Sequence, residues 1–226
     1  MTAQKEFKEK LMKARHYVDG EQQENLRRAK LENGFYNILN GEKISTNRKL
    51  SVTHAATGKQ IATIPDMDRA LLAIAISLAR NACSGWDAVP FIRRKAILAD
   101  LLSKIGVYSD ELSGLLSAEQ GVTPGEARWE IDLLTKAFGP ALMQMEPNEK
   151  KENVQPIKHS TKCYLPIDPS GALSPSILPV VLSFGKVLPA LLAGGTLVLR
   201  PSPVSPLTFC ASQNIFVNCF HRVSSM

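Results

Sequence analysis

Few residues in this sequence are of a type that does covalent or metal chemistry, and their spacing favours neither. The four cysteines, Cys83, Cys163, Cys210 and Cys219, form no CxxC pair and no set with a histidine at metal-ligand spacing. Cys219 and His221 stand two positions apart near the end of the sequence, and that proximity is read as chance rather than as a thiolate–imidazole pair. No catalytic residue and no metal ligand is assigned. The stretch that promises binding chemistry is GALSPSILPVVLSFGKVLPALLAGGTLVLRPSP, from Gly171 to Pro203. It reads as strand, tight turn, apolar helix, glycine stop, second strand and a closing Arg-Pro-Ser-Pro turn. A βαβ unit of this kind opens a dinucleotide-binding sheet, with ligand chemistry at the carboxyl ends of its strands.

The rest of the chain has to position that unit. With 226 residues, 44% of them hydrophobic, it can bury one good core or one and a half domains. The net charge of +6 is unevenly spread: both signs are dense in the first 35 residues, whereas Lys186, Arg200 and Arg222 are the only charged residues after Asp168. Basic residues cluster on no face and aromatics are sparse, which excludes a nucleic-acid footprint. Leu178 to Leu199 is long enough to span a bilayer, at roughly 20 residues. Lys186 in its middle costs about 2.5–3.5 kcal/mol on insertion scales, and Gly194-Gly195 splits the run, so it reads as buried helix followed by buried strand. The cysteine count, with no signal peptide, fits reduced thiols and a cytoplasmic location.

In chain order, residues 1–35 form a charged helix or arm, with Phe7, Leu11, Ala14 and Val18 at helical spacing. Asn40-Gly41 marks a tight hairpin turn, and Leu50–Val52 and Gln60–Ile64 flank a second turn with Gly58. Four helices follow within residues 36–147. The first is capped by Asp66 and carries Leu71, Ile74, Ala75, Leu78 and Ala82, with Gly85-Trp86 at its end. The second starts near Pro90 and buries Ile97, Leu98, Leu101 and Ile105. The third is capped by Ser109 and stops at Gly121. The fourth opens on a capping box, Thr123-Pro124-Gly125-Glu126, and runs to Met143 with Trp129 in the core. The polar run 147–152 is a boundary. Residues 148–168 then form an extended β-hairpin with its turn at His159-Ser160-Thr161-Lys162, 169–208 begin the dinucleotide-binding sheet, and 209–226 form a divergent tail.

The order of these motifs resembles the amino-terminal part of the NAD(P)-dependent aldehyde dehydrogenases. The resemblance is carried by Asn40-Gly41-Glu42, His54-Ala55-Ala56-Thr57-Gly58-Lys59, Ile64-Pro65 and Ser84-Gly85-Trp86. It continues through Arg93 to Leu102, Glu119-Gln120-Gly121, Glu126-Ala127-Arg128 and the βαβ stretch, covering residues 36 to 208. It implies an α/β fold of that type: a helical layer, an oligomerisation hairpin and the beginning of a Rossmann-like parallel sheet, left incomplete. It implies NAD or NADP as cofactor, with Leu173, Ser174, Pro175, Arg200 and Ser202 as the residues facing it. It also implies a homo- or hetero-oligomer through residues 154–167.

Two departures from the family pattern bear on chemistry. Where the family has Pro-Trp-Asn-x-Pro, this sequence reads Pro175-Ser176-Ile177-Leu178-Pro179. The resemblance assigns that Asn to donating a hydrogen bond to the oxyanion, and Ile177 has no side-chain donor. The loss of one such donor elsewhere costs about 2.7–4 kcal/mol. The family's Lys-Pro-Ser turn, whose Lys reaches the adenosine ribose, is Arg200-Pro201-Ser202-Pro203 here. Arg200 keeps the charge and could bond hydroxyls or a 2′-phosphate, while Pro203 stands where NAD-using members often have Glu. The family's glycine turn, general-base Glu and nucleophilic Cys lie beyond the Arg-Pro-Ser turn, and residues 209–226 do not carry them. The expectation is a truncated aldehyde-dehydrogenase-like chain that does not oxidise aldehydes alone, or a non-catalytic partner of a full-length relative.

Overall fold

The computed structural model describes residues 35–146, 151–153, 159–161, 167 and 169–220. The helix expected in residues 1–35, the hairpin positions Val154, Ile157, Tyr164 and Leu165, and Cys163 and His221 lie outside them. The chain opens with two hairpins. Strands β1 (Asn37–Leu39) and β2 (Glu42–Ile44) pair antiparallel with Leu39 opposite Glu42. Their two-residue turn needs positive φ twice, and Asn40 (49°) and Gly41 (82°) supply it. Strands β3 (Lys49–Thr53) and β4 (Gln60–Pro65) pair next, with Gly58 at φ 68° in the turn.

Helix α1 spans Arg69–Asp87, one residue past Trp86, and its cap is Asp68 rather than Asp66: the Asp68 carboxylate accepts from the Leu71 N–H at 2.8 Å. Asp66 sits too far ahead of the first turn to reach those amides and pairs with Arg48 instead. Helix α2 spans Phe91–Val107 behind Pro90. Helix α3 spans Ser109–Gln120, and here too the cap differs. Tyr108 holds the cap position without a side-chain bond, because Ser109 is already inside the helix and buried. Gly121, at φ 75°, ends α3 as expected.

Helix α4 (Pro124–Asp132) has the full capping box, Thr123 and Glu126 each bonding the other's backbone N–H. It does not run straight to Met143: a π-helical stretch, Leu133–Phe138, precedes the short α5 (Gly139–Met143). Pro140 has no N–H to return to the preceding turn, and the widened turn, with the Gly139 N–H bonded to the Leu134 carbonyl, accommodates it.

Of the turn expected at His159–Lys162, residues His159–Thr161 are strand and Lys162 lies outside the described residues. Strand β6 (His159–Thr161) pairs antiparallel with β5 (Lys151–Asn153), Glu152 opposite Ser160. The polar run read as a boundary thus supplies a strand; ladder pairing overrides its poor β propensity.

Strand β7 (Ser170–Leu173), helix α6 (Pro179–Leu192) and strand β8 (Leu197–Arg200) form the βαβ unit, β7 and β8 parallel with Leu173 opposite Arg200. A last helix, α7, spans Leu207–Phe220, and Leu207, Thr208, Phe209 and Ser212 are all buried in it. The core lies between α2, α3, α4, α6 and α7, with Leu98, Leu101, Ile105, Leu116, Ile131, Leu134, Val180 and Leu188 closed to solvent. The Phe184 and Phe209 rings meet at 5.5 Å across α6 and α7.

Side chains from the first helices grip the far end of α6. Trp86 donates its indole N–H to the Leu191 carbonyl at 2.8 Å, and the buried Arg94 donates Nε to the Leu192 carbonyl at 3.1 Å. The Thr196 hydroxyl, just before β8, donates to the Ala79 carbonyl at 2.8 Å. Among the described residues no helix is long and apolar enough to cross a membrane. The 14 residues of α6 make a rod of only about 21 Å at 1.5 Å per residue.

Candidate functional site

The carboxyl ends of β7 and β8 lie side by side, because the parallel ladder runs to Leu173 and Arg200 and is extended by the Ser174 N–H donating to the Arg200 carbonyl at 3.0 Å. Leu173 and Arg200 are exposed there, as is Pro175. Arg200 makes no side-chain hydrogen bond or ion pair with a described residue. The other two residues assigned from sequence are turned inward. The Ser174 hydroxyl accepts from Ser183 Oγ at 2.7 Å and lies 3.3 Å from the Pro179 carbonyl, so it fastens the start of α6. Ser202 is buried, and its hydroxyl accepts from the Val204 N–H at 3.3 Å.

The amino end of α6 is where a dinucleotide's pyrophosphate sits in the usual βαβ arrangement, held by free backbone amides and the helix dipole. Here those amides are occupied: Glu130 Oε1 accepts from the Val180 and Val181 N–H groups at 2.7 and 3.0 Å. The entry is also bent, with Leu178 left-handed at φ 47°. The next helix is treated the same way. The Glu119 carboxylate accepts from the Leu207 N–H at 2.7 Å, from the Thr208 N–H at 2.9 Å and from the Thr208 hydroxyl. Burial raises both carboxyls above the usual range, outweighing the donated hydrogen bonds. Glu119 is pushed up to about 7, with nearby Glu130 adding to the effect.

Between these two capped helices lies a cleft of about 570 Å³, open to solvent, with Glu119 and Glu130 in its floor and Trp129, Ile177, Leu178 and Val204 on its walls. Trp129 is 56% exposed, not in the core as its place in the helical pattern suggested; it lines the cleft from α4. Gln120 ties two of the loops around this cleft, its amide donating to the Ser176 carbonyl and, at 3.0 Å, to the Ser205 hydroxyl. Ile177 is 74% exposed and offers the cleft only hydrocarbon. The nearest cysteine with a described side chain, Cys210 on α7, has its thiol pushed up to about 12 by burial, with Glu119 adding to the effect. At neutral pH it is a thiol, not a nucleophile.

The sequence from residue 43 to residue 221 matches the aldehyde dehydrogenase family. The chain belongs to that family. The match passes through α7 and beyond the position where the sequence reading placed the end of the resemblance. A curated relative, glutarate-semialdehyde dehydrogenase of Pseudomonas putida, is 30% identical over 182 residues, which are 76% of this chain and 37% of that protein. Succinate-semialdehyde dehydrogenase [NADP(+)] of Escherichia coli is 27% identical, over 77% of this chain and 37% of that one. Among solved structures, succinate-semialdehyde dehydrogenase from Burkholderia pseudomallei superposes with a TM-score of 0.75 at 26% identity, over 82% of this chain and 39% of that one. The chain thus spans under two-fifths of the length of each of these three aldehyde dehydrogenases.

The two ends of the βαβ unit differ in what they leave open. Arg200 offers an open cation at a strand end, while both helix starts that could hold phosphate already hold a carboxylate. Glu119 and Glu130 are what the sequence reading missed. Glu119 stands in the motif Glu119-Gln120-Gly121, but nothing local says that it caps a helix beginning 88 positions later.

Proposed function

We propose that this chain forms the amino-terminal part of an aldehyde dehydrogenase fold, whose reaction is the NAD(P)-dependent oxidation of an aldehyde to a carboxylate. Residues 1–226 supply the adenosine end of the cofactor site and the scaffold behind it, and do not turn over alone. The observation that carries this reading is the pairing of an open, cationic strand end at Arg200 with a donor-free position at Ile177. Oxidation needs a thiolate to add to the aldehyde carbon and a donor for the resulting oxyanion; the cofactor, when bound, accepts the hydride. Ile177 has no donor to give, and Cys210 is held as a thiol by its burial. The relatives point to semialdehydes of short dicarboxylic acids as the substrate class of the complete fold, and the reduced cysteines to a cytoplasmic setting.

The test is direct. Purified chain is given succinate semialdehyde or glutarate semialdehyde with NAD⁺ or NADP⁺, and reduced cofactor is followed by absorbance. No rate above a heat-inactivated control is expected, and a clear aldehyde-dependent rate would overturn the reading.

One observation favours a second reading, in which the chain docks onto another copy or onto a longer relative. Among the described residues the β7–β8 pair has no third strand, and Leu173, Ile177 and Val204 stand 65–74% exposed around its carboxyl end. Residues 154–167 are part of the same proposal. Co-expression with a full-length aldehyde dehydrogenase, followed by size-exclusion chromatography, should give a co-eluting complex; separate elution of the two chains rejects it.

A further inference from the structure

We propose that residues 1–34 fold back on their own chain, laying the stripe Phe7, Leu11, Ala14 and Val18 antiparallel along the open flank of α1. Helix α1 is apolar well beyond what its packing uses. Between Arg69 and Arg80 it carries no charged side chain, yet of its 19 residues only Ala75 is buried. A helix that is apolar on more than one face needs cover on more than one face. The body takes one of them: the Ala79 carbonyl accepts from the Thr196 hydroxyl at 2.8 Å, and Trp86 donates to the Leu191 carbonyl. Beside that face Leu72, Ile76, Ala79 and Cys83 form a second stripe, with Leu72 and Ile76 each 41% exposed and Ala79 and Cys83 half-buried.

Spacing and chain path both favour the amino-terminal segment as the cover. Phe7, Leu11, Ala14 and Val18 follow one another at steps of four, three and four residues, and so do Leu72, Ile76, Ala79 and Cys83. Each series has the period of a two-helix seam, about 16 Å long at 1.5 Å per residue. Phe35, where the described chain begins, packs in the small cluster that contains Ile64, in the strand whose end leads into α1. From Val18 to Phe35 the chain can cover at most about 55 Å, twice the roughly 28 Å of α1. Because the segment joins the body near the amino end of α1, the short path puts Val18 there and runs antiparallel. Val18 then lies against Leu72, Ala14 against Ile76, Leu11 against Ala79 and Phe7 against Cys83. Large side chains meet small ones at three of those four steps, as good packing requires, whereas a parallel arrangement sets Phe7 on Leu72 and Leu11 on Ile76. The charged residues of the segment fall between its stripe positions and give α1 the polar outer face it lacks. A tether of this length holds the segment at an effective concentration in the millimolar range, so a weak pairing suffices.

The test uses the full chain, in which Cys83 is a free thiol at one end of the proposed seam. F7C and V18C are made separately, each with C163S and C219S to remove competing thiols, oxidised with diamide and mapped by mass spectrometry of unreduced peptides. F7C should link to Cys83 within the chain at least about ten times faster than V18C, whose seam position lies about 16 Å away, beyond disulfide reach. Adding L11K to F7C should slow that link at least about tenfold, because it takes the largest remaining apolar group out of the seam. Trp86 and Thr196 hold α1 with or without the segment, so the unfolding midpoint of L11K should stay near that of the wild type, which separates undocking from misfolding. Absence of a link within the chain, a faster link in V18C, or a rate in F7C that L11K leaves unchanged overturns the proposal. A disulfide joining two chains assigns the flank to a second copy instead, and shielding of Cys83 from diamide only after a full-length aldehyde dehydrogenase is added assigns it to that partner; either result also overturns it.

Discussion

Glu119 is a carboxyl group under two opposed forces. Three donors converge on it from Leu207 and Thr208, and they favour the anion; the surrounding core, with 2% of the residue exposed, disfavours it. Burial wins, and the group is pushed from 4.5 up to about 7. A carboxyl raised in this way binds its proton more tightly folded than unfolded, so stability falls as pH rises from the unfolded value towards the folded one. The penalty is absent below about pH 4.5, complete above about pH 7, and on the order of 3 kcal/mol. Urea unfolding at pH 5 and pH 8 should therefore show the native chain less stable at pH 8 by this route, and E119Q should flatten that slope. E119A should cost about 2–4 kcal/mol at pH 5, because it leaves the Leu207 and Thr208 donors buried without an acceptor, and less at pH 8, where the wild type already carries the ionisation penalty. What a single residue says in sequence is its local chemistry. Thr123 with Glu126 and Asn40 with Gly41 were legible because their partners are three or fewer positions away. Glu119, Glu130 and Arg94 were not, since their partners come from another element. Asp66 and Asp68 show the finer limit: both are good caps by type, and only the position of the first helical turn chooses between them.

At the scale of elements, apolar spacing identified four helices, two hairpins and the βαβ unit, because each buries a stripe or a face whose period is written in the chain. Ends and irregularities were less legible. The π-helical stretch before Pro140 depends on how a missing N–H is accommodated within packed neighbours, and the β5–β6 ladder joins residues with little intrinsic strand preference. The caps are testable. T123A removes the hydroxyl from the α4 capping box and should lower stability by about 1 kcal/mol in denaturant titration. Gly121 should tolerate change worse. Its φ of 75° is left-handed, and a Cβ placed on it would come within 2.9 Å of the Ala55 Cβ. G121A should therefore cost about 1–3 kcal/mol, and it should loosen the contact between α3 and the β3–β4 turn.

Over the whole molecule, one helix carries more apolar surface than its packing requires. On α1 only Ala75 is buried, while Leu72, Ile74 and Ile76 are 41–52% exposed. Replacing Ile74 and Ile76 by lysine should leave the unfolding midpoint nearly unchanged, within about 0.5 kcal/mol each, and should reduce self-association measured by light scattering. The overall architecture was legible from motif order; which surfaces stay open was not, since exposure belongs to the assembled fold. The grip on the end of α6 has a consequence in time. The bonds from Trp86, Arg94 and Thr196 join residues 98 to 117 positions apart, and the two glutamate caps reach 50 to 89 positions ahead. On a ribosome adding about 5–20 residues per second, α1 and α2 emerge many seconds before the backbone carbonyls they are to hold. During that interval the exposed isoleucines of α1 have no finished domain behind them. The first half of this chain must therefore be kept from other chains until the sequence beyond Leu192 arrives to lock it, so slower synthesis across residues 100–190 should lower the yield of folded protein.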